Sequence, residues 1–326
     1  MRDKDFLSIE QLSSDELNGL ISAARNLKSA PLTARSILAG RSVALLFQKP
    51  SLRTRVSFEI AVAQLGAHPL YLSPSEVGLG EREEVADVAR VLSRYVDAIV
   101  ARTFLHHDIE ALAHHATVPV LNGLSDQSHP CQILGDLLTI EERFGRLKGL
   151  TIAYVGDGNN VARSLVEAAP RAGFTLHVAS PPGFEPDSGA VTRALRLDPE
   201  AIVVTHDPSL AAQGADVVYT DAWFSMGQEA ERERRALIFP PFRVTMELLS
   251  QAAPHAIVMH CLPAHRDEEI TEEVIDGPQS AVFDQAENRL YAQKALLVEL
   301  LDPRRSGAGQ IGTPERLEQS QRRGYG

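Results

Sequence analysis

The chain reads as an α/β protein of two doubly wound domains, each a parallel sheet covered by helices on both faces. Three observations predict this. Apolar runs of strand length alternate with amphipathic stretches of helix length through nearly the whole chain. The runs are near-continuous in Val, Ile, Leu and Ala, as strands buried on both faces must be. At 326 residues the chain suits about two domains.

Taken in order, residues 8–28 pattern as an amphipathic helix with Leu12, Leu17, Leu20, Ile21 and Ala24 on its apolar side. The run 43–47 is a buried strand, and behind it Val56, Phe58, Val62 and Leu65 keep helical spacing until Gly66. A strand over 69–72, a polar loop over 73–84 and a helix marked by Val85, Val88 and Leu92 follow. A strand over 97–100 stops at Arg102-Thr103, and a helix through Leu112 leads to a strand over 118–121. Pro130 suits the first turn of a long helix running to Phe144, the expected crossing between domains 1–133 and 134–284. The second half repeats the alternation, with strands near 150–155, 174–179, 201–205, 215–220 and 256–259. A last short strand over 280–283 and a helix over about 285–301 complete it; the Arg-, Gly-, Gln- and Ser-rich 303–326 are expected to be a disordered tail.

Composition narrows the function. A net charge of −11 argues against a general nucleic-acid or anionic-membrane binder. No apolar segment follows Met1-Arg2-Asp3-Lys4-Asp5, so no signal peptide is expected, and no run approaches the roughly 18 apolar residues that span a bilayer. Two cysteines, Cys131 and Cys261, cannot build a disulfide framework or a Cys-rich zinc site. The expectation is a cytoplasmic protein.

The polar clusters share one phase: nearly every one directly follows a predicted strand, where open α/β sheets bind ligands. After the first strand, Ser51, Arg53, Thr54 and Arg55 surround a helix N-terminus, whose free N–H groups and dipole favour an anion. Hydroxyls and guanidinium forks suit phosphate or carboxylate, and no Walker loop occurs in the chain. A capped helix with solvated arginines is the plainer account of the same residues. Gly156-Asp157-Gly158-Asn159-Asn160 resembles half of a dinucleotide fingerprint, but the ribose-binding acid about 20 residues on is missing. Asn159 and Asn160 are read instead as donors to a small substrate, or as a capped glycine turn. His129 and Gln132 lie one turn apart and could reach one ligand, whereas His106, His107, His114 and His115 are expected at the surface. Asp221 and Ser225 could hold an ammonium group together, or cap a turn around a buried Trp223. Cys261 is either inert packing or a polar contact to an amine, with no Cys–His–Asp spacing to make it a nucleophile.

These residues carry a resemblance over about 5–301. Residues 47–59, His129-Pro130-Cys131-Gln132, 221–227, His260-Cys261-Leu262-Pro263 and 283–289 look like the signature motifs of the carbamoyltransferases, the third and fourth resembling the ornithine-specific branch. The resemblance implies a carbamoyl phosphate-binding first domain, an ornithine-binding second domain and a C-terminal helix packing back on the first. It implies a homotrimer or a multiple of trimers, and no metal or organic cofactor, since the leaving group is already activated. Carried over by motif, Ser51, Leu52 through its backbone, Arg53 and Thr54 hold the phosphate. Arg102, His129 and Gln132 contact the phosphate and carbamoyl group, and Arg289 closes that site. Asn160, Asp221, Ser225 and the Met226 backbone hold the amino-acid end of L-ornithine, and Cys261 and Leu262 border the reacting amine. Arg102, His129 and Cys261 are the expected catalytic set. Leu52 stands where many relatives have a hydroxyl residue, and Gly78 or a neighbour stands where some place a side chain that reaches the next subunit.

Competing readings are a carbamoyltransferase for putrescine, N-acetylornithine or aspartate, a nicotinamide dehydrogenase resting on Gly156 and Gly158, and a non-catalytic binding protein on the same scaffold. Asp221 with Ser225 favours an acceptor with a free α-ammonium, and aspartate would call for extra cations that these motifs lack.

Overall fold

The structure, a computed structural model, describes residues 5–30, 34–224 and 231–302. Its first half contains α1 (Ser14–Ser29), β1 (Ser42–Phe47), α2 (Leu52–Gln64), β2 (His68–Leu72), α3 (Pro74–Val77) and α4 (Val85–Leu92). It continues through β3 (Ala98–Arg102), α5 (His106–His115), β4 (Val120–Leu124) and α6 (Pro130–Phe144). The second half runs β5 (Thr151–Val155), α7 (Asn160–Ala172), β6 (Thr175–Ala179), α8 (Ser188–Leu197), β7 (Ile202–Thr205), α9 (Pro208–Ala212) and β8 (Val217–Thr220). It ends with α10 (Arg232–Ile238), α11 (Met246–Leu249), β9 (Ile257–His260), α12 (Glu272–Ile275) and α13 (Val282–Leu301).

Two parallel sheets result, ordered β2-β1-β3-β4 and β7-β6-β5-β8-β9. The central strands β3 and β8 are buried along their whole length, as is β9, an edge strand covered by a bridge to Ser280, while the edge strands β2 and β7 are partly exposed. That is why the central strands read as unbroken apolar runs. Each sheet also reverses direction once. The chain leaves β1 for β2 and returns to β3 on the other side, and it leaves β5 for β6 and β7 before returning to β8. Crevices open at the carboxyl ends of strands flanking such reversals, here β1/β3 and β5/β8.

Helix α6 joins the last strand of one sheet to the first of the other and is buried continuously from Pro130 to Ile140. Helix α13 leaves the second sheet and packs against α6, α1 and α2, so it returns to the helices of the first. Gly135 permits this approach: a Cβ there would lie 3.2 Å from both Cα and N of Arg289.

Three expectations need correction. The helix over 8–28 is broken, because Ser13 caps α1 through a reciprocal pair with Glu16 and leaves only a short 3-10 turn, Ile9–Gln11, before it. The strand over 280–283 is a single bridge between Val258 and Ser280, and α13 already starts at Val282. His106 is buried rather than superficial, its Nδ1 lying 2.8 Å from Ser125 Oγ. The tail over 303–326 lies outside the described residues.

Candidate active site

A cavity of about 940 Å³ lies at the carboxyl ends of strands from both sheets. From the first sheet it takes the loop after β1, which β3 fixes in place. Phe47 pairs with Arg102, Gln48 N–H donates to the Arg102 carbonyl at 2.8 Å, and Gln48 Oε1 accepts from Phe104 N–H at 2.7 Å. The loop enters α2 at Ser51, whose hydroxyl accepts from Thr54 N–H at 3.3 Å. The first-turn N–H groups of Leu52 and Arg53 have no intrahelical acceptor and open toward this end of the helix. Thr54 Oγ1 accepts from Arg289 Nη2 at 2.8 Å and from Arg102 Nη1 at 3.4 Å, so residues distant in sequence are drawn onto one hydroxyl.

Four cations therefore converge: Lys49, Arg53, Arg102 and Arg289 all line the cavity. Among the described residues none of the four is ion-paired with a carboxylate. Their electrostatics record the strain. Burial, with Arg289 and Arg53 acting the same way, pushes Arg102 down to about 10. Burial and then Arg102 bring Lys49 to about 8, and burial lowers Arg289 and Arg53 as well. His129 sits beside them at 4% exposure, its Nδ1 without a partner among the described residues. Burial, followed by the charges of Arg289, Arg102, Lys49 and Arg53, holds its imidazole well below the ordinary range. A neutral imidazole next to a cation cluster can donate a hydrogen bond without adding charge.

The second sheet supplies the opposite wall. Asn159 caps α7 by accepting from Val161 and Ala162 N–H at 2.9 and 3.2 Å, and its amide donates to Asp221 Oδ2 at 2.8 Å. Asn160 also lines the cavity, but its Nδ2 donates to the Ser125 carbonyl at 2.6 Å. Both side-chain amides thus have intramolecular work, and Asn159 is not the free donor expected of it. Asp221 Oδ1 accepts from the Cys261 thiol at 3.0 Å. Burial and Asp221 push that thiol well above its usual range, so it stays protonated and is no nucleophile. After Cys261 the backbone turns sharply: Leu262 has φ of 58°, a left-handed conformation costly for a branched side chain. His260 supports it. Its Nδ1 accepts from Leu262 N–H at 2.8 Å, which leaves Nε2 to donate to Glu269 Oε1 at 3.0 Å.

Of the side chains expected at the site, Ser51, Leu52, Arg53, Thr54, Arg102, His129, Asn160, Asp221, Cys261, Leu262 and Arg289 line the cavity. Gln132 does not line it; it is buried one turn along α6 from His129. Ser225 and Met226 lie outside the described residues. Arg55 points elsewhere, paired with Glu59 at 3.0 Å and stacked 3.6 Å from the Tyr71 ring centroid, because it stands two residues round the helix from Arg53. Sequence reasoning missed Lys49 and the pair Asp157–Arg235, joined at 2.7 Å, in which Arg235 also donates to the Trp223 carbonyl at 2.6 Å. A Lys beside the motif was the available signal for Lys49. Donor atoms of Asp221, His260 and Cys261, and of His265, Glu268 and Glu269, come within 4.8 Å of one another, as a metal would need. In the first group the His260 ring and the Cys261 thiol are already engaged in the hydrogen bonds just described.

Comparison with known proteins agrees with this geometry. A family model for the carbamoyl-P binding domain of aspartate/ornithine carbamoyltransferase matches residues 4–142, and one for the Asp/Orn binding domain matches 148–300. An ornithine carbamoyltransferase of Parafrankia sp. is 54% identical over 316 residues, covering 95% of this chain and 99% of that protein. One from Pyrococcus abyssi is 49% identical over 312 residues, covering 94% and 98%. Among solved structures, the ornithine carbamoyltransferase of Thermus thermophilus superposes with a TM-score of 0.85 at 49% identity, over 92% of this chain and 100% of that one. That of Pyrococcus furiosus gives 0.87 at 50% identity, over 91% and 96%. A cavity lined by unpaired cations from the first sheet's loops and α13 and by an Asp–thiol pair from the second sheet, within two matching domain models, makes this chain a member of the aspartate/ornithine carbamoyltransferase family and an enzyme that transfers carbamoyl groups.

Proposed function

We propose that the protein is an ornithine carbamoyltransferase, converting carbamoyl phosphate and L-ornithine to L-citrulline and phosphate. The observation that carries the donor half is the cluster of Lys49, Arg53, Arg102 and Arg289, buried or half-buried with no carboxylate of its own. A phosphate dianion supplies the missing charge, and the α2 N-terminus, Ser51 and Thr54 supply further donors. The acceptor half rests on Asp221, Asn160, Cys261 and Leu262 on the facing wall, with Ser225 and Met226 completing the amino-acid pocket by family motif. Asp221 complements an α-ammonium; putrescine and N-acetylornithine lack one.

In the reaction, the neutral δ-amine attacks the carbamoyl carbon and forms a tetrahedral intermediate. Neutral His129 and the Arg102 guanidinium donate to the oxygen on which charge develops. The C–O bond then breaks with its electron pair going to phosphate, which also takes the proton lost by nitrogen. The thiol of Cys261 borders the amine and forms no bond to it. This chemistry needs positioning and charge stabilisation, and no resident metal or organic cofactor enters it.

We further propose a homotrimer or a multiple of trimers in the cytoplasm. Leu52, Val56 and Ile60 form an exposed apolar stripe on α2, with Leu70 exposed on the edge strand β2, which supports self-association. Among the described residues no helix is long and apolar enough to cross a membrane.

The deciding experiment measures product from carbamoyl phosphate with L-ornithine, putrescine, N-acetylornithine and aspartate in parallel, with sedimentation of the same sample. Strong preference for ornithine supports both walls of the cavity. Activity with another acceptor alone would retain the cation cluster and overturn the Asp221 assignment.

A further inference from the structure

Beside the cavity, side chains from three elements close around Asp136, a fully buried residue one turn after Gln132 on α6. Its Oδ1 accepts from Gln132 Nε2 and from Gln285 Nε2, both at 2.8 Å. Its Oδ2 accepts from the Tyr219 hydroxyl at 3.0 Å. Gln285 Nε2 also reaches the Tyr219 oxygen at 3.0 Å, and Gln285 Oε1 accepts from the His260 backbone N–H at 2.9 Å. No Lys or Arg among the described residues is ion-paired with Asp136, so its charge is not there to complete a salt bridge.

Every link in this network has one direction. An ionised carboxylate only accepts, so Gln132 must present its –NH₂ to Asp136 and turn its Oε1 away. Gln285 is fixed in the same way, since a backbone N–H claims its Oε1. The consequence is that Gln132 Oε1 is buried and has no partner among the described residues, one helical turn behind His129, which lines the cavity where Gln132 itself does not. A buried amide oxygen without a donor is costly, and one this close to a binding cavity is placed for a ligand donor to satisfy it. The only N–H donors on carbamoyl phosphate are those of its carbamoyl nitrogen.

We propose that Asp136 is a positioning residue for donor selectivity: it locks the Gln132 amide with its oxygen presented to the carbamoyl nitrogen, which lets the site prefer carbamoyl phosphate to an acyl phosphate bearing a methyl group there. The inference rests on the carbamoyl phosphate reading above. Through Gln285 and Tyr219 the same carboxylate ties α6 to α13, β8 and the His260 turn, so the amide is held from several directions. Leucine removes every acceptor at once. The Gln132 amide is then free to turn over and put N–H where the oxygen stood, and Gln285 Nε2 and the Tyr219 hydroxyl keep only their bond to each other.

The test compares the full-length wild type with Asp136→Leu, Gln132→Met and the double variant. Three quantities are read: KM for carbamoyl phosphate, and the inhibition constants of acetyl phosphate and of inorganic phosphate. Asp136→Leu should lose about ten-fold or more of the preference for carbamoyl over acetyl phosphate, with phosphate inhibition changed less than about three-fold. Adding it to Gln132→Met should alter the preference by less than about two-fold, because nothing is left to position. Full preference retained in Asp136→Leu, or effects that multiply in the double variant, overturns the proposal. If Asp136→Leu gives no cooperative melt, Gln132→Met decides: it must lose the preference with phosphate inhibition intact, and a wild-type ratio refutes the idea. A wild type that neither binds nor turns over carbamoyl phosphate sinks the parent reading and this one with it. An active wild type with an unaffected Asp136→Leu sinks this one alone.

Discussion

Replacing Arg102 with methionine should stabilise the empty protein while removing its response to anions. Arg102 is 5% exposed, and burial plus Arg289 and Arg53 bring it down to about 10, well below the ordinary guanidinium range. That depression amounts to roughly 3 kcal/mol against the charged form in the folded chain. The sign follows from proton linkage. A cation depressed on folding lowers stability at every pH below its folded value, and the penalty fades only as pH rises above about 10 toward the ordinary guanidinium range. Methionine keeps the aliphatic stem and gives up only the 3.4 Å bond to Thr54, which is long for a hydrogen bond. A net gain of about 2–3 kcal/mol corresponds to about 4–6 °C in Tm for a chain of this size. Thermal melts in anion-free buffer, with and without added phosphate, read both effects. The wild type should melt lower when empty and rise with phosphate by mass action. Arg102→Met should start higher, shift little and show no transfer activity. A variant that melts below the wild type in anion-free buffer, or keeps the full phosphate shift, refutes the reasoning.

Three further outcomes follow from the same geometry. Burial and Arg102 set Lys49 at about 8, so the ammonium is charged below that value and lost above it. Phosphate affinity measured by calorimetry should therefore fall as pH rises from about 7 to about 9, and Lys49→Met should bind roughly ten-fold more weakly at the lower pH with a flat profile. The Cys261 thiol should react slowly with a disulfide reagent in the native protein and rapidly in urea, and Cys261→Ala should reduce turnover without abolishing it. Complete loss in that variant, or a trapped acyl-enzyme, would contradict its role as a neighbour. Gly135→Ala puts a Cβ 3.2 Å from the Arg289 backbone, so it should destabilise the chain by about 1–3 kcal/mol and raise KM for carbamoyl phosphate. A wild-type KM would show that α13 does not need this close approach.

The legibility of this fold in its sequence follows a physical line. The central strands were legible because parallel strands covered on both faces leave unbroken apolar runs, as in Val43 to Phe47. The phase of the polar clusters was legible because both sheets expose their carboxyl ends to one cavity. The run Ala281-Val282-Phe283 misled, since a short apolar stretch does not distinguish a strand from a helix start, and Phe283 is 69% exposed. Residues 8–28 misled because Ser13, a cap, sits inside a pattern whose apolar positions continue across it. Arg55 misled because composition counts forks without regard to which side of the helix they leave. Asp136, Tyr219 and Gln285 were invisible for a different reason. Their network joins residues up to 149 apart, and periodicity marks a helix face without saying which polar residue on it becomes sealed.

The groups around the cavity share one property that a fold selected for stability alone would not retain. Lys49, Arg102 and Arg289 are each pushed toward their neutral forms, and Asp136 and Asp157 are each raised to about 6. Apolar replacements of similar volume are often as stable or more so. Asp157 has Arg235 to answer it, whereas no member of the cation cluster is ion-paired with a carboxylate among the described residues. That asymmetry favours a ligand that brings negative charge, and more than one unit of it. It also bears on the nucleophile. In the proposed reaction the amine reaches a carbon held beside four cations, where a second ammonium is disfavoured. Asp221, bonded to Asn159 and Cys261, lies on the facing wall and can hold the α-ammonium at the other end of the same substrate. On that proposal the field that grips the phosphate favours the neutral δ-amine, and the nucleophile needs no dedicated base.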